Sequence, residues 1–331
     1  MHIQKNISLS QYTTFKTGGP AEYFCEIDTK EDLLKCFNWI KLNKTAFFCL
    51  GNGSNLVIND LGFPGTVLKM NNIASVWDKN KSTSGAGTPL AVLINEAKRH
   101  GLGGMEWGFG IPATLGGAVR NNAGAFGSDI SKTLVSVEIF DTEKAEFRII
   151  QNKDCDFSYH KSIFQTKPTW LIWQASLVWE EREEKEIEEN IQKYLNQRKE
   201  KQPIESPSAG SYFQNPLLSN MDEKKREQIV EDFVKRALPN TLDGERDRLS
   251  EEIRKKVSQS GVLPAAYLIE ETGLKGRSIG GAQVSEKHAN FIINTGQAKT
   301  EDIIILSSII KQKVRTKFGI QLHEEVEYVG F

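Results

Sequence analysis

Residues Gly101 to Ile130 read GLGGMEWGFGIPATLGGAVRNNAGAFGSDI, a stretch crowded with glycine and alanine that shows hardly any helical or strand period. Glycine reaches positive φ and lets another molecule approach the main chain closely, and an ordinary loop needs only one or two such positions. The stretch therefore reads as backbone used as a surface, although a seam of small residues between two packed elements would have a similar composition.

Working outward, Leu50 to Asp60 reads LGNGSNLVIND, preceded by the apolar run Ala46 to Cys49 and containing a second run, Leu56 to Ile58. The pattern predicts a strand, a tight glycine turn and a second strand. In such a turn Gly51, Asn52, Gly53, Ser54 and Asn55 can aim successive N–H groups into one concavity, an anion nest suited to a pyrophosphate. A plain hairpin loop uses the same residue types. GNGSN is not the dinucleotide fingerprint, which requires a helix opening directly from its glycines.

The chain has 331 residues, enough for two or three domains with a sizeable core. Its 42 basic and 43 acidic side chains leave a formal charge of −1, so no bulk attraction to nucleic acid or an anionic membrane is implied. The N-terminus MHIQKNISLSQYTTF lacks an apolar signal core, and no run approaches the roughly 18 apolar residues that cross a bilayer. A soluble, cytoplasmic protein is expected. Cys25, Cys36, Cys49 and Cys155 have no CxxC spacing and read as buried thiols, with neither a disulfide frame nor a metal site.

The order of elements predicts an α+β chain. Lys30 to Asn43 has roughly helical spacing at Leu33, Leu34, Phe37, Trp39 and Ile40; Pro89 to His100 has it at Leu90, Leu93, Ile94 and Ala97, with Pro89 in the first turn. Leu134 to Asp141, Glu146 to Ile150 and Thr169 to Glu180 read as antiparallel strands, with the loop DFSYHKSIFQ, Asp156 to Gln165, between the last two. Trp179 to Gln202 reads as a solvated helix linking domains, with Ile187, Ile191, Tyr194 and Leu195 as its narrow apolar stripe. Ser208 to Pro216, SAGSYFQNP, reads as a compact turn, and Leu218 to Ser260 as two charged surface helices. Pro264 to Thr272 is a helix stopped by Gly273, His288 to Asn294 a strand, Lys299 to Phe318 an amphipathic helix and Gln321 to Val329 a final strand bearing Glu324, Glu325 and Glu327.

GNGSN, IPATLGGAVRNNAGAFG, SYHKSIF, SAGSYFQNP, GLKG followed by IGGAQVSEKHANFIIN, and LHEEVEYVG occur here in one order. In that order they resemble the UDP-N-acetylenolpyruvoylglucosamine reductase family, over nearly the whole chain except about 217–262. The resemblance implies a vanillyl-alcohol-oxidase-type (PCMH-type) FAD-binding fold in two subdomains, 1–70 completed by 319–331 and 71–197. A third, α/β domain, 198–318, would hold the UDP-sugar and carry the charged insertion 217–262.

Further implications follow by motif. Gly51, Asn52, Gly53, Ser54, Asn55 and Leu56 would wrap the FAD pyrophosphate, and Ile111, Pro112, Thr114, Gly117, Ala118 and Asn122 would line the rest of the cofactor. NADPH would reduce FAD, and hydride from flavin N5 would then pass to C3 of the enolpyruvyl group. Ser211 would give the proton to C2 with Glu325 assisting, while Tyr159, Asn215 and Lys275 would contact substrate. No metal, nucleic acid or membrane partner is implied, and a monomer is expected.

Three positions depart from the family pattern. The tyrosine loop carries His160 in place of the usual arginine. A histidine is cationic only when its pKa allows, so His160 is read as a weaker electrophile, with Lys161 as an alternative cation. Ala113 replaces a usual glycine, and Asn121 a usual apolar residue. Two other readings stay open: a different flavin oxidoreductase of the same fold, which would have no reason to keep SAGSYFQNP and the terminal carboxylate, and a catalytically weakened sugar-nucleotide-binding regulator.

Overall fold

The computed structural model describes residues 2–217, 223–237, 251, 257 and 261–331. The chain divides into two units, Met1–Ile204 with Tyr328–Phe331, and Glu205–Glu327.

The first unit opens with β1 (Ile3–Ser8), β2 (Pro20–Ile27), α1 (Lys30–Asn43), β3 (Ala46–Leu50), β4 (Leu56–Ile58) and β5 (Phe63–Met70). These form a sheet in the order β1-β2-β5-β3, antiparallel at β1 and parallel elsewhere. Helix α1 begins where the Thr29 side chain accepts the Asp32 N–H and ends at Lys44 in the left-handed region. It buries Leu33, Cys36, Phe37 and Ile40 against Cys25, Ile27, Leu68 and Met70 of the sheet. The opposite face buries Phe24, Leu50, Ile58 and Val67 with Val329.

The unit continues with β6 (Ser75–Asp78), β7 (Lys81–Gly85), α2 (Leu90–Arg99), β8 (Leu102–Gly103), α3 (Leu115–Arg120), β9 (Gly124–Ala125) and β10 (Ser128–Asp129). Then come β11 (Leu134–Asp141), β12 (Glu146–Gln151), α4 (Ile163–Thr166), β13 (Trp170–Val178), β14 (Glu180–Glu181) and α5 (Glu184–Lys201). The second sheet is antiparallel, in the order β12-β11-β13-β7-β6. Its core draws on α2, α3 and α5 through Leu93, Leu115, Val119, Ile187 and Ile191. Phe140 of β11 joins the α1 cluster instead, edge-on to Phe37 at 5.3 Å and beside Phe147 at 5.1 Å, and with Leu171 and Trp173 it ties the two sheets together.

The second unit contains α6 (Glu223–Ala237), α7 (Ala265–Glu270), β15 (Ser278–Ile279), β16 (Ala282–Val284), β17 (Ile292–Asn294) and α8 (Thr300–Phe318). The three strands pair antiparallel in chain order, and α8 buries Ile303, Leu306, Ile310 and Val314 at helical spacing. The last strand, β18 (Glu327–Val329), pairs with β4 and returns the C-terminal residues to the first unit.

Several boundaries differ from those read in the sequence. The glycine stretch contains a real helix, α3, because the Thr114 side chain caps it by accepting the Gly117 N–H. Pro89 is the N-cap of α2 and so lies just outside its first turn. The run from His288 begins as a turn, with the Phe291 N–H on the His288 carbonyl, and is extended only from Ile292. Regular pairing of the final strand is likewise limited to its last three residues. Helix α5 is less solvated than expected, since Arg198, one turn beyond Tyr194 on the same stripe, is buried. Of the two helices expected in 218–260, α6 is present, and most of the remainder lies outside the described residues. Among the described residues no helix is long and apolar enough to cross a membrane.

Phe140 is fully buried. Truncation in the variant Phe140→Ala is expected to lower the free energy of unfolding by about 3–5 kcal/mol, read from the urea midpoint. A loss below about 1 kcal/mol would show that the two sheets do not depend on this ring.

Candidate active site

The turn between β3 and β4 has an unusual hydrogen-bond pattern. The Gly51 carbonyl accepts from Lys69 Nζ at 2.8 Å, and the Gly53 carbonyl accepts from the Thr14 N–H at 3.2 Å. A trans peptide points its C=O and the following N–H in opposite directions. Anchoring these two carbonyls therefore turns the N–H groups of Asn52 and Ser54 the other way. No protein acceptor among the described residues takes the N–H of Asn52, Gly53 or Ser54. Gly53 holds φ at +59°, and a Cβ there would sit 2.2 Å from the Tyr12 carbonyl. Gly51 is equally constrained, since its Cβ would lie 2.6 Å from Thr114 Oγ1. Unpaired N–H groups in a turn that only glycine fits are the donor set an anion requires, so the turn suits a pyrophosphate. Asn55 and Leu56 complete it, Leu56 being buried as the first residue of β4.

The second glycine segment abuts the first but plays a different part. Asn52 Nδ2 donates to the Pro112 carbonyl at 2.7 Å. At the start of α3 the N–H groups of Leu115, Gly116, Gly117 and Ala118 go to the Thr88 carbonyl, the Ala86 carbonyl, Thr114 Oγ1 and the Thr114 carbonyl. That helix N-terminus has no donor left for a phosphate. Ile111, Pro112, Gly117 and Ala118 thus offer shape and close approach, with Pro112 exposed and Ala118 buried. Ala113 is absent from the residues with positive φ, which is why alanine is tolerated there.

Asn122 is 5 % exposed, has φ of +42° and donates through Nδ2 to the Ser158 carbonyl at 2.8 Å. Its Oδ1 is buried with no hydrogen-bond partner among the described residues. The loop it grips carries Tyr159 and His160, whose rings meet edge to face at 4.4 Å. Gln165 Nε2 fastens the same loop, donating to Asn121 Oδ1 at 2.9 Å and the His160 carbonyl at 3.2 Å. This explains an asparagine at position 121. Burial lowers the His160 pKa from its ordinary value, against a smaller opposing pull from Asp129, so the imidazole is neutral at neutral pH.

In the second unit a short ladder carries Glu325 and runs up to the residue after Ser211. Phe213 bridges Glu324 antiparallel, the Gln214 N–H donates to the His323 carbonyl and the Glu325 N–H to the Tyr212 carbonyl at 2.8 Å. Glu325 therefore stands opposite Tyr212, and Ser211 is the next residue along the facing strand. Asn290 fixes this ladder by gripping Phe213 at both backbone groups: Nδ2 donates to its carbonyl at 2.8 Å and Oδ1 accepts its N–H at 3.0 Å. Tyr212 and Phe213 are each 1 % exposed and hold the turn from below. Glu324 pairs with Lys311, whereas burial pushes the Glu325 carboxyl up to about 7. At neutral pH a large fraction of Glu325 thus keeps its proton.

Two predicted substrate contacts are engaged inside the unit. Asn215 Oδ1 accepts the Ala265 N–H at 2.8 Å, capping α7, and Lys275 Nζ reaches Glu270 at 2.9 Å. The sequence reading missed Lys69, Thr14 and Asn290, which act on the nest or the ladder through backbone groups. Only Asn290, a polar residue inside the apolar run after His288, left a signal that could have been followed.

Comparison with known proteins accords with this geometry. The family model of the FAD binding domain matches residues 21–148, and that of the UDP-N-acetylenolpyruvoylglucosamine reductase C-terminal domain matches residues 202–329. The UDP-N-acetylenolpyruvoylglucosamine reductase of Synechococcus sp. (strain JA-3-3Ab) is 36% identical over 99% of this chain and 91% of its own. That of Caldanaerobacter subterraneus subsp. tengcongensis is 35% identical over 98% of this chain and 93% of its own. The crystal structure of the Thermus caldophilus UDP-N-acetylenolpyruvylglucosamine reductase matches with a TM-score of 0.74 at 30% identity, covering 99% of each chain. The α+β fold of the first unit is accordingly the FAD-binding fold of the vanillyl-alcohol-oxidase (PCMH) type. Related along its whole length in sequence and in structure, the chain belongs to the UDP-N-acetylenolpyruvoylglucosamine reductase family.

Proposed function

We propose that the chain is a cytoplasmic, FAD-dependent reductase that converts UDP-N-acetylglucosamine enolpyruvate to UDP-N-acetylmuramate with NADPH, in the synthesis of peptidoglycan precursors. When bound, FAD supplies a two-electron carrier able to take hydride from a nicotinamide and deliver it to C3 of the enolpyruvyl double bond. In this reading residues 1–70 with 319–331, and 71–197, hold the cofactor, and 198–318 hold the UDP-sugar.

The observation that supports the reading is the Glu325 carboxyl, which remains protonated near neutrality on a backbone ladder that opposes the residue after Ser211. Reduction of the double bond needs a proton at C2 to match the hydride at C3. A serine hydroxyl is a poor acid in water, and a protonated carboxyl nearby is the group that can restore the proton it gives up. Negative charge gathers on the substrate carboxylate side before C2 is protonated and needs donors there. His160 meets that need as a neutral N–H donor, with Tyr159 beside it; Lys161, exposed on the same loop, is the nearby cation. Lys275 suits the diphosphate, and Asn215 acts through its cap on α7.

An anaerobic stopped-flow experiment separates the steps. NADPH should bleach the oxidised flavin band of the purified protein, and the enolpyruvyl sugar should then restore it rapidly. Reduction without reoxidation by this substrate would overturn the assignment in favour of another flavin enzyme.

The Glu325 carboxyl must be protonated to act in this way, and its pKa is about 7. The reoxidation rate is therefore expected to be flat below that pH and to fall about tenfold per unit above it. In Glu325→Gln the rate should drop by about 10²–10⁴ and the alkaline limb should disappear. Because the folded pKa lies above the unfolded one, the stabilisation linked to the neutral carboxyl is complete below about 4.5 and is lost as pH rises through about 7. Melting curves of the same variant should thus gain on wild type as pH rises from about 4.5 to about 7 and stay level above that.

His160→Arg tests the departure in the tyrosine loop. A permanent cation in place of a neutral donor is expected to accelerate reoxidation by about tenfold or more at neutral pH, with little change in flavin reduction. An unchanged or slower reoxidation would mean that neutral His160 does not limit the rate.

A further inference from the structure

Lys69 lies on β5, directly across from Leu50 of β3 and Glu26 of β2. Despite that acidic neighbour, no carboxylate among the described residues comes within 4 Å of its ammonium. Its hydrogen bond goes instead to the Gly51 carbonyl at 2.8 Å. A partly buried ammonium with no acid paired to it is costly and is kept where its charge has a use. Burial correspondingly lowers its pKa from the ordinary lysine range, against weaker opposing pulls from Cys49 and Glu26.

The bond to Gly51 has a directional consequence. The Gly51 C=O and the Asn52 N–H belong to one peptide plane and point opposite ways. Lys69 therefore sets where the Asn52 N–H points, as the Thr14 N–H does for Ser54 by holding the Gly53 carbonyl. Without the ammonium, this peptide of a glycine could rotate, since Gly51 carries no side chain to resist it.

We propose that Lys69 is a positioning residue of the phosphate nest. It holds the Gly51–Asn52 peptide with its carbonyl inward so that the Asn52 N–H faces the FAD pyrophosphate, and its unneutralised charge adds to the field that attracts this anion. The proposal rests on the reading of the chain as an FAD protein.

The test is FAD binding to the flavin-stripped protein, followed by quenching of flavin fluorescence over a range of salt concentrations, for wild type, Lys69→Met and Lys69→Arg. Lys69→Met should weaken FAD about tenfold to a hundredfold, the effect of losing one charged hydrogen bond. Its affinity should also respond less to salt than that of wild type, while Lys69→Arg recovers most of the loss. ADP, which carries the diphosphate without the flavin, should show the same ranking as a competitor. The melting temperature of flavin-free Lys69→Met should stay within about 2 °C of wild type. FAD and ADP affinities of Lys69→Met within twofold of wild type, with an unchanged salt response, would overturn the proposal. So would a melting temperature that collapses in Lys69→Met without recovery in affinity by Lys69→Arg, because the lysine would then support only the fold. Wild-type protein that takes up no FAD would overturn the FAD reading itself and this proposal with it.

Discussion

The planarity of the peptide bond is the constraint on which the cofactor site depends. A backbone N–H can be offered to a ligand only if the carbonyl of the same peptide is accepted somewhere behind it. In the β3–β4 turn the two supports are a lysine side chain and the backbone of Thr14, and both pull carbonyls toward the protein. The small residues follow from this arrangement. Gly53 must be glycine because the Tyr12 carbonyl fills the place of a Cβ, and Gly51 because Thr114 does. The start of α3 looks on paper like a second anion site, yet its four N–H groups are all taken within the protein. Free backbone donors are thus left in the β3–β4 turn and not at the start of α3.

The second unit applies a similar device to acid–base chemistry. Asn290 imitates a strand neighbour by bonding both backbone groups of Phe213, which fixes the ladder that carries Glu325. Glu324 and Glu325 are adjacent but meet different fates. Glu324 has Lys311 as a partner, while desolvation dominates at Glu325 and raises its pKa. One carboxylate is held in an ion pair and the next keeps its proton near neutrality, a division made by environment alone.

Much of this was legible in the residues themselves. Helical spacing located α1, α2 and α8 to within a residue or two, because their apolar stripes are long and regular. The short extended pieces around Ile292 and Glu327 were overcalled, since an apolar run does not reveal that its first residues are spent in a turn. GNGSN indicated a nest, but the Lys69 side chain that holds one of its carbonyls lies 18 residues later in the chain and is placed beside it by the parallel pairing of β3 with β5. Arg198 illustrates the same limit. It continues the stripe of Ile187, Ile191 and Tyr194, yet an arginine there reads as solvated until the structure shows it buried against the Trp107 carbonyl and the Phe126 ring. Asn215 shows the reverse: a polar residue in a functional motif whose side chain is engaged in capping a helix.

The most direct measurement is a crystal structure of the protein with FAD bound. The expected result is a pyrophosphate oxygen about 2.9 Å from each of the Asn52 and Ser54 backbone nitrogens, with the Gly51 and Gly53 carbonyls still turned to Lys69 and Thr14. A pyrophosphate seated on the N-terminus of α3, or Asn52 and Ser54 amides that bond to protein while FAD is present, would contradict it.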